Sequence, residues 1–460
     1  MKWAVYNLIW VAVFPLLLPG FLLRMCRRGG YAARMGDRFA LYPEGLFGRD
    51  RPLFDSHAAP DARRPASGFV WIHAVSVGEV QVAGQLMREW RAVDPTVRFC
   101  FSTTSSTGWK MAEREVQGAG CRVQGAGGGD VLIYNPLDFP SYVKSALRTV
   151  NPRAIVLTES EIWPNFIRCA KRMGIPVFLI NARVSDRSAP RYAKARWFFR
   201  DVFSSFTRIF AQSELDRARL LAAGAPAERI EVTGSFKFDV ARRNEAKEAE
   251  LTRWIFPEGR PADVRILLGG STWPGEDEVM LEAYRRLLDR KGASDSPVLV
   301  IAPRHFEKAD AVEANVKAAG FACVRRSRTP HPAPRTKHQA PSVYLADTTG
   351  ELMGLYGIAD SVFVGKSLCA HGSQNMIEPC LCGKPTYVGP YTENFRPVMS
   401  DLLEGGGIVQ LGDREALVSR IVADFGSSGA AELGRRAEAA VRRRTGVVPT
   451  CVAAIREALR

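Results

Sequence analysis

This chain is short of the features that most quickly assign a function. Its nine cysteines, at positions 26, 100, 121, 169, 323, 369, 380, 382 and 451, are an odd number spread over 460 residues, and no two stand in a Cys-x-x-Cys spacing. That argues against a disulfide framework or a structural zinc site and fits a reducing compartment. There is no Walker sequence, no His-Glu-x-x-His, no nucleophile elbow and no dinucleotide fingerprint. The glycine-rich stretch Gly125-Ala-Gly-Gly-Gly129 precedes an apolar run instead of joining a strand to a helix, so it reads as a loop and not as a phosphate cradle. Hydride transfer, ATP hydrolysis and serine hydrolysis therefore lose their usual signatures. Compositional bias is lacking too: 46% hydrophobic and 24% charged residues describe a globular protein and exclude collagen-like, coiled-coil and disordered chains. Acidic residues are in deficit, with 48 Asp+Glu against 63 Lys+Arg and a net charge of +15, which points to an anionic partner: nucleic acid, an acidic membrane surface or a phosphorylated substrate.

Charge is missing altogether from Trp3 to Leu23. At about 1.5 Å per residue such a helix covers the roughly 30 Å of a bilayer's hydrocarbon core. Lys2 stands before the run, and Arg24, Arg27, Arg28, Arg34 and Arg38 follow it, a bias that keeps the remainder in the cytoplasm. No small-residue cleavage site follows, so a signal peptide does not fit. Pro15 and Pro19 weaken a straight span, and Trp3, Tyr6 and Trp10 suit the headgroup level, which leaves an interfacial helix open; the lack of a polar face favours spanning. The expectation is a single N-terminal anchor over residues 1–25, with the soluble part on the cytoplasmic face of an inner membrane.

Beyond the anchor, apolar runs alternate with amphipathic stretches. Residues 68–75, 97–103, 154–157, 176–180 and 208–211 read as strands, followed by a charged and Pro/Gly-punctuated linker at 240–262. A second series follows at 264–268, 297–302, 361–364 and 385–388. Near-continuous apolar strands separated by helices indicate parallel sheets covered on both faces. The architecture expected is α/β, with two doubly wound, Rossmann-like domains at 35–238 and 262–425 facing each other across a cleft, and a helical segment at 426–460 packed near the anchor. Arg325 to Pro341, rich in Pro and basic residues, reads as an exposed loop.

Polar groups gather where strands end, the place where ligands bind in open α/β sheets. In Ser76-Val-Gly-Glu79 a carboxylate stands in the first turn of a helix. It complements the helix dipole, and it is equally the kind of group that takes a proton from an attacking hydroxyl; position alone leaves both readings open. Thr158-Glu-Ser-Glu-Ile-Trp-Pro-Asn165 brings Glu159 and Glu161 to another strand end, where holding polar substrate groups or capping the next helix fits better than glycoside hydrolysis. Asn181-Ala-Arg-Val-Ser-Asp-Arg-Ser188 opens a basic run through Arg183, Arg187, Arg191, Lys194, Arg196 and Arg200, interleaved with Trp197, Phe198 and Phe199; it suits an interface with anionic lipid headgroups. In the second domain, Gly269-Gly-Ser-Thr-Trp-Pro-Gly275 offers the hydroxyls of Ser271 and Thr272 and backbone N–H groups to a phosphate. Arg304 offers a fixed fork, Gly365-Lys-Ser367 ends a further strand, and Glu378 is placed to accept hydrogen bonds from a ribose diol. Together these describe a nucleotide-phosphate site without a metal cage.

Six segments in order, Trp71 to Glu79, Thr158 to Asn165, Asn181 to Ser188, Gly234-Ser-Phe-Lys-Phe-Asp239, Asp347-Thr-Thr-Gly-Glu-Leu-Met353 and Gly372-Ser-Gln-Asn-Met-Ile-Glu-Pro379, resemble the 3-deoxy-D-manno-octulosonic acid (Kdo) transferases of lipopolysaccharide assembly. The resemblance runs from the anchor to about residue 400. It implies a GT-B glycosyltransferase that moves Kdo from CMP-Kdo to a lipid A precursor, lipid IVA, with inversion and with neither metal nor other cofactor. It further implies Glu79 as the catalytic base, with Lys237, Ser271, Thr272, Arg304, His305, Asn375 and Glu378 on the donor and Ser76, Glu159, Glu161, Arg183 and Arg187 on the acceptor side; Lys366, a departure from the family, is expected to add a compensating cation on the donor side. Trp273 stands where many relatives have His, and Lys366 and Ser373 replace glycines frequent in the family. The implied partners are CMP-Kdo, the lipid A precursor and an anionic inner membrane surface. Another membrane-associated GT-B transferase using a UDP-sugar and a lipid acceptor shares the fold and the basic surface. A nucleic-acid binder is permitted by charge but lacks aromatic-studded binding motifs.

Overall fold

Uninterrupted runs of β-branched and aromatic residues become strands, and in the computed structural model of the chain, which describes residues 2–28, 32–47, 68–118, 129–240, 243–290, 296–329 and 342–460, they build two separate sheets. Residues 1–240 with 446–460 form one unit, and 241–445 the other. The first unit holds β1 (Val70–His73), β2 (Phe99–Thr103), β3 (Val131–Tyr134), β4 (Ala154–Thr158), β5 (Val177–Ala182), β6 (Arg208–Ala211) and β7 (Ile230–Val232), in the order β3-β2-β1-β4-β5-β6-β7 and parallel throughout. All four residues of β1 are buried, as a strand covered on both faces requires. The strand order reverses between β1 and β4, so the loops leaving these two strands part at a topological switch point.

The second unit repeats the plan with β8 (Val264–Thr272), β9 (Ser296–Pro303), β10 (Ala322–Arg325), β11 (Ser342–Leu345), β12 (Ser361–Val364), β13 (Thr386–Val388) and β14 (Val409–Gln410), ordered β10-β11-β9-β8-β12-β13-β14. These pairs are also parallel, and the order reverses between β8 and β12. The expectation of two doubly wound α/β domains is met in each unit.

The two ends of the chain differ from the expectation. Among the described residues no helix is long and apolar enough to cross a membrane. The helix Lys2–Arg28 carries Pro15 and Pro19 inside it, and its first turns pack on the first unit. Trp3 and Tyr6 lie 5.2 and 5.3 Å, ring to ring, from Phe198. Lys2 pairs with Asp201 at 2.5 Å, Asn165 Nδ2 donates to Asn7 Oδ1, and Tyr6 Oη donates to the buried Asp138 carboxylate at 2.9 Å. Asp138 also accepts the N–H groups of Asn165 and Phe166 at 3.0 and 2.8 Å, so one side chain caps the helix Pro164–Arg172 and latches the N-terminal helix. The aromatic residues that suggested a headgroup belt therefore contact protein, because each carries an apolar ring and Tyr6 a polar tip that a buried carboxylate satisfies. Of the arginines that follow the run, Arg34 pairs with Asp37, while the buried Arg38 donates to Thr104 O and lies 4.4 Å from the centre of the Tyr134 ring. The side chains of Arg24, Arg27 and Arg28 lie outside the described residues, as do Gly125 to Gly128 and residues 330–341 of the anticipated loops.

The segment 426–460 is divided between the units. The helix Ser428–Arg442 stays with the second, whereas Val447–Ala458 belongs to the first. Val447, Val448, Cys451, Val452 and Ile455 form an i, i+1, i+4, i+5, i+8 stripe that packs with Val70 and Ile72, while Trp3 and Tyr6 pack on the cluster holding Trp71. Neighbouring residues of a strand face opposite ways, so the C-terminal helix lies across the sheet from the N-terminal one and not beside it as expected. Asp239 fixes its start by accepting from Gly446 N and Val448 N at 2.7 and 2.6 Å.

Candidate active site

In the first unit the switch point collects the carboxylates. Ser76 caps the helix Val77–Val93, accepting from Glu79 N, and its hydroxyl donates to Glu79 Oε1 at 2.8 Å. Glu79 Oε2 accepts from Val75 N at 3.0 Å and from Thr158 Oγ1 at 3.1 Å. The dipole-complementing reading of Glu79 is thus realised, and the same bonds fix its carboxylate beside the end of β4. A Cβ on Gly78 would meet nothing within 4 Å, so the first turn in front of Glu79 is open.

Glu159 follows β4 in the left-handed region, φ +49°, and accepts from Asn181 Nδ2 at 3.2 Å. Burial raises its pKa; the positive charges of Arg183 and Lys237 oppose the rise, and Glu79 and Glu161 add to it. Burial lowers the Lys237 pKa, with Glu159 resisting and Arg183 assisting. Lys237 stands in the first unit, within electrostatic reach of Glu159 and Arg183. Glu161 accepts from Trp163 Nε1 at 2.9 Å and lies 3.5 Å from His73 Nε2. Arg183 and Arg187 are exposed on the loop after β5.

Two residues passed over in the sequence complete this cluster. His73, fully buried at the end of β1, has Nδ1 2.9 Å from Ser102 Oγ, while Nε2 has no hydrogen-bond partner. Thr158 places its hydroxyl 3.0 Å from His73 O as well as beside Glu79. Both lie inside the quoted motifs, and an apolar strand gives no sign of which polar side chain at its end will meet the next strand.

In the second unit, Ser271 and Thr272 end β8, buried, with Ser271 at φ +54°. Arg304 N donates to Thr272 O at 3.0 Å, and the Arg304 and His305 side chains are exposed. The Trp273 ring lies 5.4 Å from His305, and Lys366 Nζ lies 5.0 Å from its centre, so the cation of Lys366 does stand beside the tryptophan. Asn375 Nδ2 donates to Glu378 Oε1 at 3.0 Å. Burial raises the Glu378 pKa; the Asn375 bond and the Arg304 charge oppose it. Lys366 and Ser373 sit at φ +58° and +60°, the conformation that glycine adopts freely.

Glu276, also passed over, is the centre of this site. Fully buried in the first turn of the helix Glu276–Leu288, its Oε2 accepts from Trp273 N and Lys366 N, both at 2.8 Å. Its Oε1 accepts from Ser367, Leu368 and Cys369 N at 3.2, 3.0 and 3.2 Å. The backbone donors of 366–369 are therefore engaged by a carboxylate of the protein itself. Among the described residues no group of three or more His, Cys, Asp or Glu is placed to hold a metal ion.

A family profile described as 3-deoxy-D-manno-octulosonic-acid transferase matches residues 33–240. Over 402 residues the chain is 34% identical to the 3-deoxy-D-manno-octulosonic acid transferase of Bordetella pertussis, covering 86% of each chain. The chain belongs to the Kdo transferase family. The corresponding protein of Haemophilus influenzae is 31% identical over 410 residues, covering 89% of this chain and 87% of that one. Among solved structures, a glycosyltransferase from Rickettsia africae superposes with a TM-score of 0.54 over 86% of this chain and all of its own, at 11% identity, a likeness of fold alone. The two parallel α/β units of this Kdo transferase thus share the fold of that glycosyltransferase.

Proposed function

We propose that this glycosyltransferase moves Kdo from CMP-Kdo to lipid IVA with inversion, on the cytoplasmic face of an inner membrane and with no resident cofactor. The observation that carries the reading is the fixed carboxylate of Glu79, held by Val75 N, Ser76 Oγ and Thr158 Oγ1 beneath an uncrowded helix turn. An acceptor hydroxyl gives its proton to Glu79 as its oxygen bonds the anomeric carbon of Kdo. The bond from that carbon to the phosphate oxygen breaks, and CMP departs with the electron pair. A sugar nucleotide already contains a good leaving group, so a base and stabilisation of the phosphate suffice. Ser271, Thr272, Arg304, His305 and Lys366 serve the phosphate and the Kdo carboxylate; Asn375 and Glu378 serve the ribose. Ser76, Glu159, Glu161, Lys237, Arg183 and Arg187 hold the phosphorylated glycolipid. Thermal stabilisation by CMP and not by UDP supports the donor assignment; stabilisation by UDP alone replaces it with a UDP-sugar.

The membrane part rests on the face of the N-terminal helix that the first unit leaves uncovered. Val5, Leu8, Ile9 and Leu16 are 45%, 70%, 55% and 79% exposed, and Trp197 of the docked helix Arg196–Phe203 is 60% exposed among basic residues. Apolar side chains flanked by Lys and Arg suit an anionic bilayer surface. Leu8→Asp with Ile9→Asp is expected to cut co-sedimentation with anionic vesicles at least tenfold without altering CMP binding; undiminished co-sedimentation contradicts this face as the contact.

A further inference from the structure

We infer that Glu276 is a positioning residue for the donor, pre-setting two loops to receive it without touching it. Among the described residues, seven other than glycine have positive φ: Ala40, Asn151, Glu159, Asn181, Ser271, Lys366 and Ser373. All but Ala40 and Asn151 lie at the two switch-point sites. Such backbone costs energy and persists only where the surroundings over-determine it. Three of the strained residues, Ser271, Lys366 and Ser373, stand in the two loops that Glu276 joins.

The joint is close. Gly365 N donates to Gly270 O at 2.8 Å, and a Cβ on Gly365 would lie 2.2 Å from Ser271 O, so the loops meet backbone to backbone. From there the chain returns on itself: Ser373 N donates to Lys366 O and Gln374 N to Gly365 O, at 2.8 and 3.1 Å. That return delivers Asn375 and Glu378 to the same end of the sheet. Glu276 holds Trp273 N of one loop and four successive N–H groups of the other. A carboxylate in a ring of N–H groups is what an anionic ligand's own oxygens would otherwise supply. Here the protein supplies it, and the ligand meets loops already set. Binding to a pre-organised site avoids the cost of ordering it.

The inference rests on the second unit being the CMP-Kdo site, and the test separates the two. In Glu276→Gln an amide NH2 faces backbone donors at one oxygen position, so two or three acceptor contacts are lost while side-chain volume is kept. Calorimetry with CMP is expected to show at least a tenfold rise in Kd, and kinetics a similar rise in the donor KM with the acceptor KM unchanged. Adding Ser373→Gly, which adopts positive φ without help, is expected to restore part of the affinity. An unchanged Kd for CMP in folded Glu276→Gln overturns the inference, even with a lowered Tm, and so does a rise in Kd that Ser373→Gly leaves untouched. If Glu276→Gln does not fold, Glu276→Asp, with the charge on a shorter arm, gives the same decision. Wild-type protein that fails to bind CMP overturns the donor reading and this inference with it; wild-type binding with indifferent variants overturns this inference alone.

Discussion

Glu79→Gln lowers kcat by a factor of about 10³, within the usual range for loss of a general base, while the Kd for CMP stays within twofold. The geometry makes this substitution unusually clean. Glu79 Oε2 accepts from Val75 N, a donor that cannot turn, and from Thr158 Oγ1; Oε1 faces only the Ser76 hydroxyl, which can. A glutamine amide keeps its oxygen toward Val75 and Thr158 and donates its NH2 to Ser76 Oγ, whose own proton then points to solvent. The cap keeps its bond count and the helix Val77–Val93 keeps its start, but no atom on the Ser76 side can take a proton. Single-turnover rates, CMP calorimetry and Tm on the same preparation separate base from scaffold. A kcat within tenfold of wild type, with the fold intact, removes Glu79 as the base.

The second large effect falls on stability. Asp138→Ala strands the N–H groups of the buried Asn165 and Phe166 and unpairs the hydroxyl of the half-buried Tyr6, and each orphaned buried donor costs about 1–3 kcal/mol. A loss of at least about 3 kcal/mol is expected, with undocking of the N-terminal helix. Burial pushes the Asp138 carboxyl up to about 7 from an ordinary 3.8, against the lowering pull of the Asn165, Phe166 and Tyr6 hydrogen bonds. The folded state therefore holds this proton more tightly than the unfolded chain. Its contribution to stability is full below the unfolded value, near pH 4, and is lost as the pH rises through about 7. Asp138→Asn has no such titration, so wild type is expected to lose stability relative to Asp138→Asn between pH 4.5 and 7.5, by an amount on the order of 3 kcal/mol. Urea midpoints for both proteins across that range measure it. A difference that does not change with pH contradicts a raised Asp138.

The sequence displayed what local periodicity can display. Apolar runs at 154–157 and 176–180 are strands because β-branched residues favour extended backbone, and the loops behind them carry the motifs. Strand order is not local: nothing in residues 70–73 says that β4 returns to pair with them, yet that return brings Thr158 to Glu79. The stripe on Val447–Ala458 shows that the helix buries a face, not which side of which sheet receives it. Glu276 looks like any acidic residue in a helix's first turn, because four of the five donors it serves are some ninety positions away. Lys366 and Ser373, read as substitutes for family glycines, do adopt the glycine-like backbone, and what sustains it became visible only with the loops in place.

The central claim is the transfer itself. Purified protein supplied with CMP-Kdo and a tetra-acylated lipid A precursor is expected to release CMP and yield a lipid heavier by at least one Kdo residue, read by mass spectrometry of the extracted product. A lipid of unchanged mass with no CMP released, from folded protein that binds both substrates, contradicts the account.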